Sequence, residues 1–208
     1  MRLLLWHFRA GFIKIRTSIK PGNLSFCKDL LSDQIETNTN KQRKNLTKAA
    51  QIDQLTQVLE RSYFISCVSE KIAKRLEPIA IVLLDLDRFR KINATYGFTV
   101  GDYILAEVCS KIKTLLDEED LFGRMQGDEF AICLVGASSE MALRLAEQCR
   151  LAILEMDIEK RAPGVKLTAS LGVATIDTQG LTTFEDTLNA ARGALLFAKG
   201  IGGNSVNG

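Results

Sequence analysis

The sequence predicts an α+β fold in which helices cover a mostly antiparallel sheet. Three observations predict it. A β-branched run, Ile79 to Leu84, follows Pro78 and is typical of a buried central strand. Two short apolar segments flank the glycine-containing turn Gln126-Gly127-Asp128, which is a hairpin pattern. Apolar residues at helical spacing occur before and after these strands, and 46% hydrophobic residues in 208 supply one sizeable core.

The predicted elements follow one another as α, β, α, β, β, α, β, α. The first helical pattern contains a break near residues 61–63, which indicates one interrupted helix or two helices. The four helical segments are 53–75, one of about four turns from Tyr103, 138–156 and 184–199, and the four strands are 79–84, 121–125, 130–135 and 166–176.

Composition excludes several kinds of chemistry. The only histidine, His7, is near the start, so a Ser/His/Asp, Cys/His or multi-histidine metal site lacks its residues. The five cysteines are scattered without a C-x-x-C pair, which is typical of buried reduced thiols. Any catalysis must therefore depend on carboxylates, lysines and a hard metal ion.

Charge divides the chain into two regions. Residues 1–50 hold 10 Lys/Arg against 3 Asp/Glu, whereas residues 51–208 hold 17 against 22. This predicts a basic N-terminal extension and linker at 1–50 and one folded domain at 51–208. Such an arm can lie free in water, contact an anionic membrane surface weakly through residues 1–20, or bind nucleic acid.

The start of the chain is apolar only in short runs. Its longest unbroken run is Leu3 to Trp6, far below the roughly 20 residues that cross a bilayer. A secretory h-region and cleavage site are also missing. We therefore expect a cytoplasmic protein, with a peripheral position at the inner membrane as the alternative.

Two acidic clusters stand at predicted strand ends, Asp85-Leu86-Asp87 and Asp128-Glu129. If their strands are neighbours in the sheet, the carboxylates converge and repel one another unless a cation neutralises them. Oxygen ligands without His or Cys favour Mg²⁺ or Mn²⁺ bound jointly with substrate phosphates, as in phosphoryl transfer. The alternative is that these side chains are solvated turn residues.

Five sequence motifs follow one another over about residues 53–206. They are Asp53-Gln54-Leu55-Thr56 with Arg61; Asp85 to Asn93 with Gly97, Gly101 and Asp102; Arg124 to Phe130; Ser170 to Ala174; and Ala198-Lys199 with Gly202 and Asn204. In type and order these motifs resemble those of the GGDEF family of diguanylate cyclases.

The resemblance implies a palm-like fold related to the nucleotide cyclases. It also implies a reaction that joins two GTP molecules into cyclic di-GMP with release of pyrophosphate. Each protomer of a homodimer would hold one GTP, and each 3′-hydroxyl would attack the α-phosphate of the other GTP.

The resemblance also implies roles for particular residues. Asp85 and Asp128 are similar to the magnesium ligands, with the Leu86 backbone carbonyl as a third, and Glu129 matches a signature position close to the reacting centre. The implied nucleotide-binding residues are Asn93 and Asp102 for the guanine edge, Arg90 and Lys199 for phosphate, and Gly127 as the second signature glycine.

Three departures put the activity in doubt. Gln126 replaces the first signature glycine, where a side chain is expected to crowd the nucleotide or tilt the turn. Arg192 stands where the family has an aspartate, and Gly203 where it commonly has a phosphate-contacting arginine. Two functions therefore remain open: an active cyclase with reduced activity, and a degenerate module that binds GTP or a protein partner for regulation. We expect no nucleic-acid partner, because only the basic first 50 residues favour one.

Overall fold

The structure, a computed structural model, describes residues 51–74, 77–176 and 183–208. These residues belong to the second of two units into which the chain divides, Thr47–Gly208. The predicted N-terminal extension, residues 1–50, lies outside the described residues. Within the described ranges, no helix is both long enough and apolar enough to span a membrane.

Five helices and six strands make up the described part of the chain. In chain order they are β1 (Leu59–Glu60), α1 (Arg61–Lys74), β2 (Ile79–Leu86), α2 (Phe89–Tyr96), α3 (Phe98–Lys113), β3 (Leu121–Gln126), β4 (Glu129–Val135), α4 (Ser139–Leu154), β5 (Ala169–Ile176), α5 (Phe184–Gly200) and β6 (Val206–Asn207).

The strands form one mixed sheet in the order β1-β3-β4-β2-β5-β6. The β3–β4, β4–β2 and β2–β5 pairs are antiparallel, while β1 pairs with β3 and β6 with β5 in parallel. The predicted α+β fold with a mostly antiparallel sheet is confirmed, and parallel pairing is confined to two-residue strands at the edges.

Both faces of β2 are buried, which explains its continuous apolar sequence. Ala80, Val82 and Leu84 belong to a core cluster with residues of α3 and α4. Ile79, Ile81 and Leu83 belong to a second cluster with residues of α1 and α5. Because side chains alternate along a strand, Asp85 continues the second set and faces the α1/α5 side.

Gly172 allows α5 to pack closely on β5. A Cβ at this position would lie 2.1 Å from the Ala191 carbonyl oxygen and 2.3 Å from the Leu195 amide nitrogen. The absence of a side chain lets the helix backbone approach the strand. This contact brings the C-terminal half of α5 beside the end of β2.

The sequence-based assignments differ from the structure mainly at short elements. The predicted break at residues 61–63 is the start of α1, preceded by the unpredicted strand β1. Helix α2, which was not predicted, has only two turns and begins after Arg88 in the left-handed conformation (φ 58°) without a side-chain cap. Neither a cap residue nor a long periodic pattern therefore marked it. The two-residue strand β6 is too short to show an alternating pattern of apolar and polar residues.

Candidate functional site

The two acidic clusters meet at one end of the sheet. Strands β2 and β4 are neighbours, and Asp85 lies directly opposite Glu129 in their register. Asp128 lies in the β3–β4 turn, immediately before Glu129. The convergence expected from the sequence is therefore present in the structure.

Burial and mutual repulsion act on these carboxyl groups. Burial is the main cause that raises the pKa of Asp85, with further increases from Asp128 and Glu129 and a partial offset from Lys199. Burial also raises the pKa of Asp128, opposed by its own backbone N–H, Lys199 and Arg90. A cation bound beside these carboxylates would stabilise their ionised forms.

Two cations of α5 contact this cluster. The Lys199 Nζ lies 2.5 Å from the Asp85 Oδ1. The Arg192 Nη2 lies 3.1 Å from the Glu129 Oε1. Lys199, predicted as a phosphate-binding residue, thus pairs here with a predicted metal ligand, and Arg192, noted in the sequence only as a departure, pairs with a signature residue.

The hairpin turn has one special backbone position. Gly127 has φ +57°, which favours glycine, and its carbonyl oxygen accepts a hydrogen bond from the Arg124 Nε at 2.9 Å. Gln126 is not among the described residues with positive φ, and its side chain is exposed at the end of β3. The backbone at position 126 therefore does not require glycine, and the expected crowding of the nucleotide by the Gln126 side chain stays a prediction.

Asp53 supports the hairpin from the start of the domain. Its Oδ1 accepts hydrogen bonds from the Thr56 amide (2.9 Å) and hydroxyl (2.6 Å) and pairs with the Arg124 Nη1 at 3.1 Å. Arg124 thus joins Asp53 to the Gly127 carbonyl. Arg124 had no role predicted from the sequence, although its motif already placed it three residues before that glycine.

Asp87, two residues after Asp85, has a different environment. Its carboxylate accepts hydrogen bonds from the Thr168 hydroxyl (2.8 Å), the Ser170 hydroxyl (2.7 Å) and the Asn204 amide (2.7 Å). Asp87 therefore ties the end of β2 to β5 and to the C-terminal loop.

A second group of predicted residues lies on α2 and α3. The Asn93 Oδ1 is buried and accepts no hydrogen bond from another described residue. It faces Gly101 so closely that a Cβ there would lie 1.8 Å from it. Asp102, next to Gly101, is exposed, as is Arg90 on α2. A half-buried amide whose oxygen is unpartnered, beside an exposed carboxylate, can bind a polar ring edge.

Gly203, noted in the sequence as a departure from a commonly phosphate-contacting arginine, contributes no side chain. A Cβ at this position would lie 2.9 Å from the Asp87 Oδ1. The described residues also contain no cluster of three or more His, Cys, Asp or Glu side chains suited to a metal ion. Cation binding here would depend on Asp85, Asp128 and backbone oxygen.

Solved structures share this fold. The coiled coil and GGDEF domain of DgcB from Caulobacter crescentus, in complex with c-di-GMP, matches with a TM-score of 0.77 and 21% identity, over 88% of this chain and 98% of that one. Diguanylate cyclase SiaD from Pseudomonas aeruginosa, in complex with its activator SiaC, matches with a TM-score of 0.71 and 26% identity, over 88% and 72%. The fold class is that of GGDEF domains.

The sequence comparison identifies the family. The family described as diguanylate cyclase, GGDEF domain, matches residues 50–205. The chain is also 32% identical over 157 residues to the probable diguanylate cyclase DgcT of Escherichia coli (strain K12), over 74% of this chain and 34% of that protein. This chain belongs to the GGDEF diguanylate cyclase family, whose members generally use a divalent metal ion. It spans about a third of the length of DgcT and of a second curated relative, the diguanylate cyclase DosC of Escherichia coli (strain K12).

Proposed function

We propose that the protein is a diguanylate cyclase that condenses two GTP molecules into cyclic di-GMP and pyrophosphate. The observation that carries the proposal is the meeting of Asp85, Asp128 and Glu129 at one sheet end beside Lys199, in a chain of the GGDEF family. Three converging carboxylates and one lysine match the chemistry of a metal-assisted nucleotidyl transfer.

The residues present fit a hard divalent cation. Asp85, Asp128 and the Leu86 carbonyl form an all-oxygen donor set, and burial raises the pKa of both carboxyl groups. Mg²⁺ commonly uses only one or two protein carboxylates and completes its shell with water and substrate phosphates. When bound, Mg²⁺ or Mn²⁺ would activate the attacking oxygen and neutralise charge on the phosphates.

The remaining predicted residues divide into base-binding and phosphate-binding groups. Asn93 and Asp102 bind the guanine edge, because an amide and a carboxylate complement its carbonyl and N–H groups. Arg90, Lys199 and the Gly127 turn bind the triphosphate. The segment Gln126 to Phe130 is a QGDEF variant of the family signature, and the exposed Gln126 side chain supports a tolerated first position.

Product formation needs two active sites that face each other. Each protomer of a homodimer positions one GTP, so that its 3′-oxygen attacks the α-phosphorus of the partner's GTP. The new phosphodiester bond forms as the bond to pyrophosphate breaks, and the hydroxyl proton passes from the attacking oxygen to solvent water. Asp128 and Glu129 are the proposed catalytic residues at this centre.

The domain organisation and location complete the proposal. Residues 51–208 form the catalytic domain, and residues 1–50 form a basic extension. The protein works in the cytoplasm, and a weak contact of residues 1–20 with the inner membrane surface is the alternative. Nucleic acid is not a partner.

A second candidate function is a degenerate GGDEF module that binds GTP or a protein partner for regulation. The observation that favours it is Gly203, which leaves the triphosphate one cation short. Losing one charged contact weakens phosphate binding by roughly 1 to 3 kcal/mol.

Formation of cyclic di-GMP and pyrophosphate by purified protein with GTP and Mg²⁺ distinguishes the two functions. We expect both products at a molar ratio of one to two from the wild type. GTP binding without either product would contradict catalysis and favour the degenerate module. For a substitution of Asp128, the matched control is Glu118→Gln, because Glu118 is an exposed acidic residue outside the site.

A further inference from the structure

Arg192 and Lys199 each form an ion pair with one carboxylate at the acidic end of the sheet. They are seven residues apart on α5, which is about two helical turns, and therefore lie on one face of the helix. Arg192 pairs with Glu129 at 3.1 Å and Lys199 with Asp85 at 2.5 Å. The two carboxylates are opposite each other on adjacent strands.

The two ion pairs differ in whether the proposed reaction requires them to separate. Lys199 must leave Asp85 when it binds phosphate and Asp85 binds metal. Arg192 can stay paired with Glu129 throughout, because Glu129 is not one of the proposed metal ligands. If Glu129 lost Arg192, the other α5 cation, Lys199, would be drawn toward it from Asp85 on the adjacent strand.

We propose that Arg192 is a positioning residue: it holds and neutralises Glu129, so that Lys199 is free to move from Asp85 to the nucleotide phosphates. This inference rests on the proposed function, and it reverses the expectation that arginine at position 192 weakens the site. Arg192 acts through Glu129 and does not touch the substrate.

The proposal predicts a specific pattern of GTP affinities. In the Arg192→Gln variant, Lys199 is the one α5 cation left for two adjacent carboxylates, so GTP binding weakens by about tenfold. In the Glu129→Gln background the same substitution has little effect, because there is no longer a second carboxylate to neutralise. Arg192→Lys retains the charge and binds GTP within about threefold of wild type.

The test is a double-mutant cycle on GTP binding, measured by calorimetry in Mg²⁺ with wild type, Arg192→Gln, Glu129→Gln and the double variant. Binding, unlike turnover, remains measurable if Glu129→Gln blocks catalysis. Arg144→Gln is the matched control, because Arg144 forms an equivalent ion pair with Glu140 at 2.9 Å on the exposed face of α4. Arg192→Lys provides a second variant if the glutamine variant folds poorly, and circular dichroism checks the fold of each protein.

Three results would overturn the inference. An equal loss of GTP affinity in both backgrounds would show that Arg192 contacts the nucleotide itself. Unchanged affinity in Arg192→Gln would show that Glu129 needs no neutralisation. A wild-type protein that binds no GTP would overturn the proposed function together with the inference, whereas the first two results leave that function intact.

Discussion

Asp85 and Asp87 stand two residues apart at the end of one strand, yet their environments differ. Asp87 is held by three hydrogen-bond donors, from Thr168 just before β5, from Ser170 in β5 and from Asn204 in the C-terminal loop. Asp85 has one cation, Lys199, and faces two other carboxylates, so that burial and repulsion raise its pKa. A carboxylate with fixed donors stabilises the fold, whereas carboxylates buried against one another are prepared to bind a cation.

The largest expected effect comes from the acidic cluster around Asp85. Asp128→Asn removes a proposed metal ligand, so cyclic di-GMP formation should fall by about 10³-fold or more. The unfolding midpoint should not fall, because burial already raises the pKa of this carboxyl group and a neutral amide avoids that cost. Product assays and thermal melts check both results. Substantial residual activity would contradict the view that the carboxylates around Asp85 serve the reaction while Asp87 serves the fold.

Asp87 should show the opposite behaviour. Asp87→Ala leaves the hydroxyls of Thr168 and Ser170 and the Asn204 amide without their acceptor. We expect the free energy of unfolding to fall by about 3 kcal/mol, measured by urea denaturation. Thr168→Val removes one of the three bonds and should cost about 1 kcal/mol. An unchanged stability in Asp87→Ala would show that these bonds do not hold the strand end.

Lys199 tests whether the partner of Asp85 is movable. Lys199→Gln should weaken GTP binding by about tenfold in calorimetry, because a charged phosphate contact is lost. Lys74→Gln is the control, since Lys74 pairs with Glu70 on the exposed side of α1. GTP affinity equal to that of wild type would mean that Lys199 stays with Asp85.

The smallest effect is expected at Asp53, another carboxylate with fixed partners. Burial raises its pKa, but the Thr56 hydroxyl and amide and the Arg124 charge outweigh burial and lower the pKa below 3.8. Its contribution to stability is therefore present above pH 3.8 and is lost as the pH falls through the lower folded pKa. Asp53→Asn should cost about 1 kcal/mol at pH 7 in urea denaturation.

The pH dependence separates this loss from a general packing defect. The difference between wild type and Asp53→Asn should shrink below pH 3.8. A difference that stays constant down to pH 2.5 would show that charge is not its source.

Sequence reasoning identified the fold and the long elements because their patterns are local. The apolar run of β2, the glycine turn and the periodic helices each act within one segment. Helix α2 and the two-residue strands were missed because tertiary contacts, not propensity, stabilise them.

The site was only partly predictable for the same reason. The apolar run before Asp85 and the glycine turn at Asp128 placed both residues at strand ends, and their convergence followed because β2 and β4 are neighbours. The role of Asp87 depends on donors 81 to 117 residues away in sequence. The Arg192–Glu129 pair joins residues 63 apart, so Arg192 stood out only as a difference from the family.

The most direct test of the central claim is Mn²⁺ binding, measured by electron paramagnetic resonance in the presence of GTP. The account predicts that wild type binds the ion, that Asp85→Asn and Asp128→Asn weaken binding by about 10-fold or more, and that the folded Asp87→Asn variant binds like wild type. Equal Mn²⁺ affinity in Asp85→Asn and wild type, or a loss confined to Asp87→Asn, would contradict it.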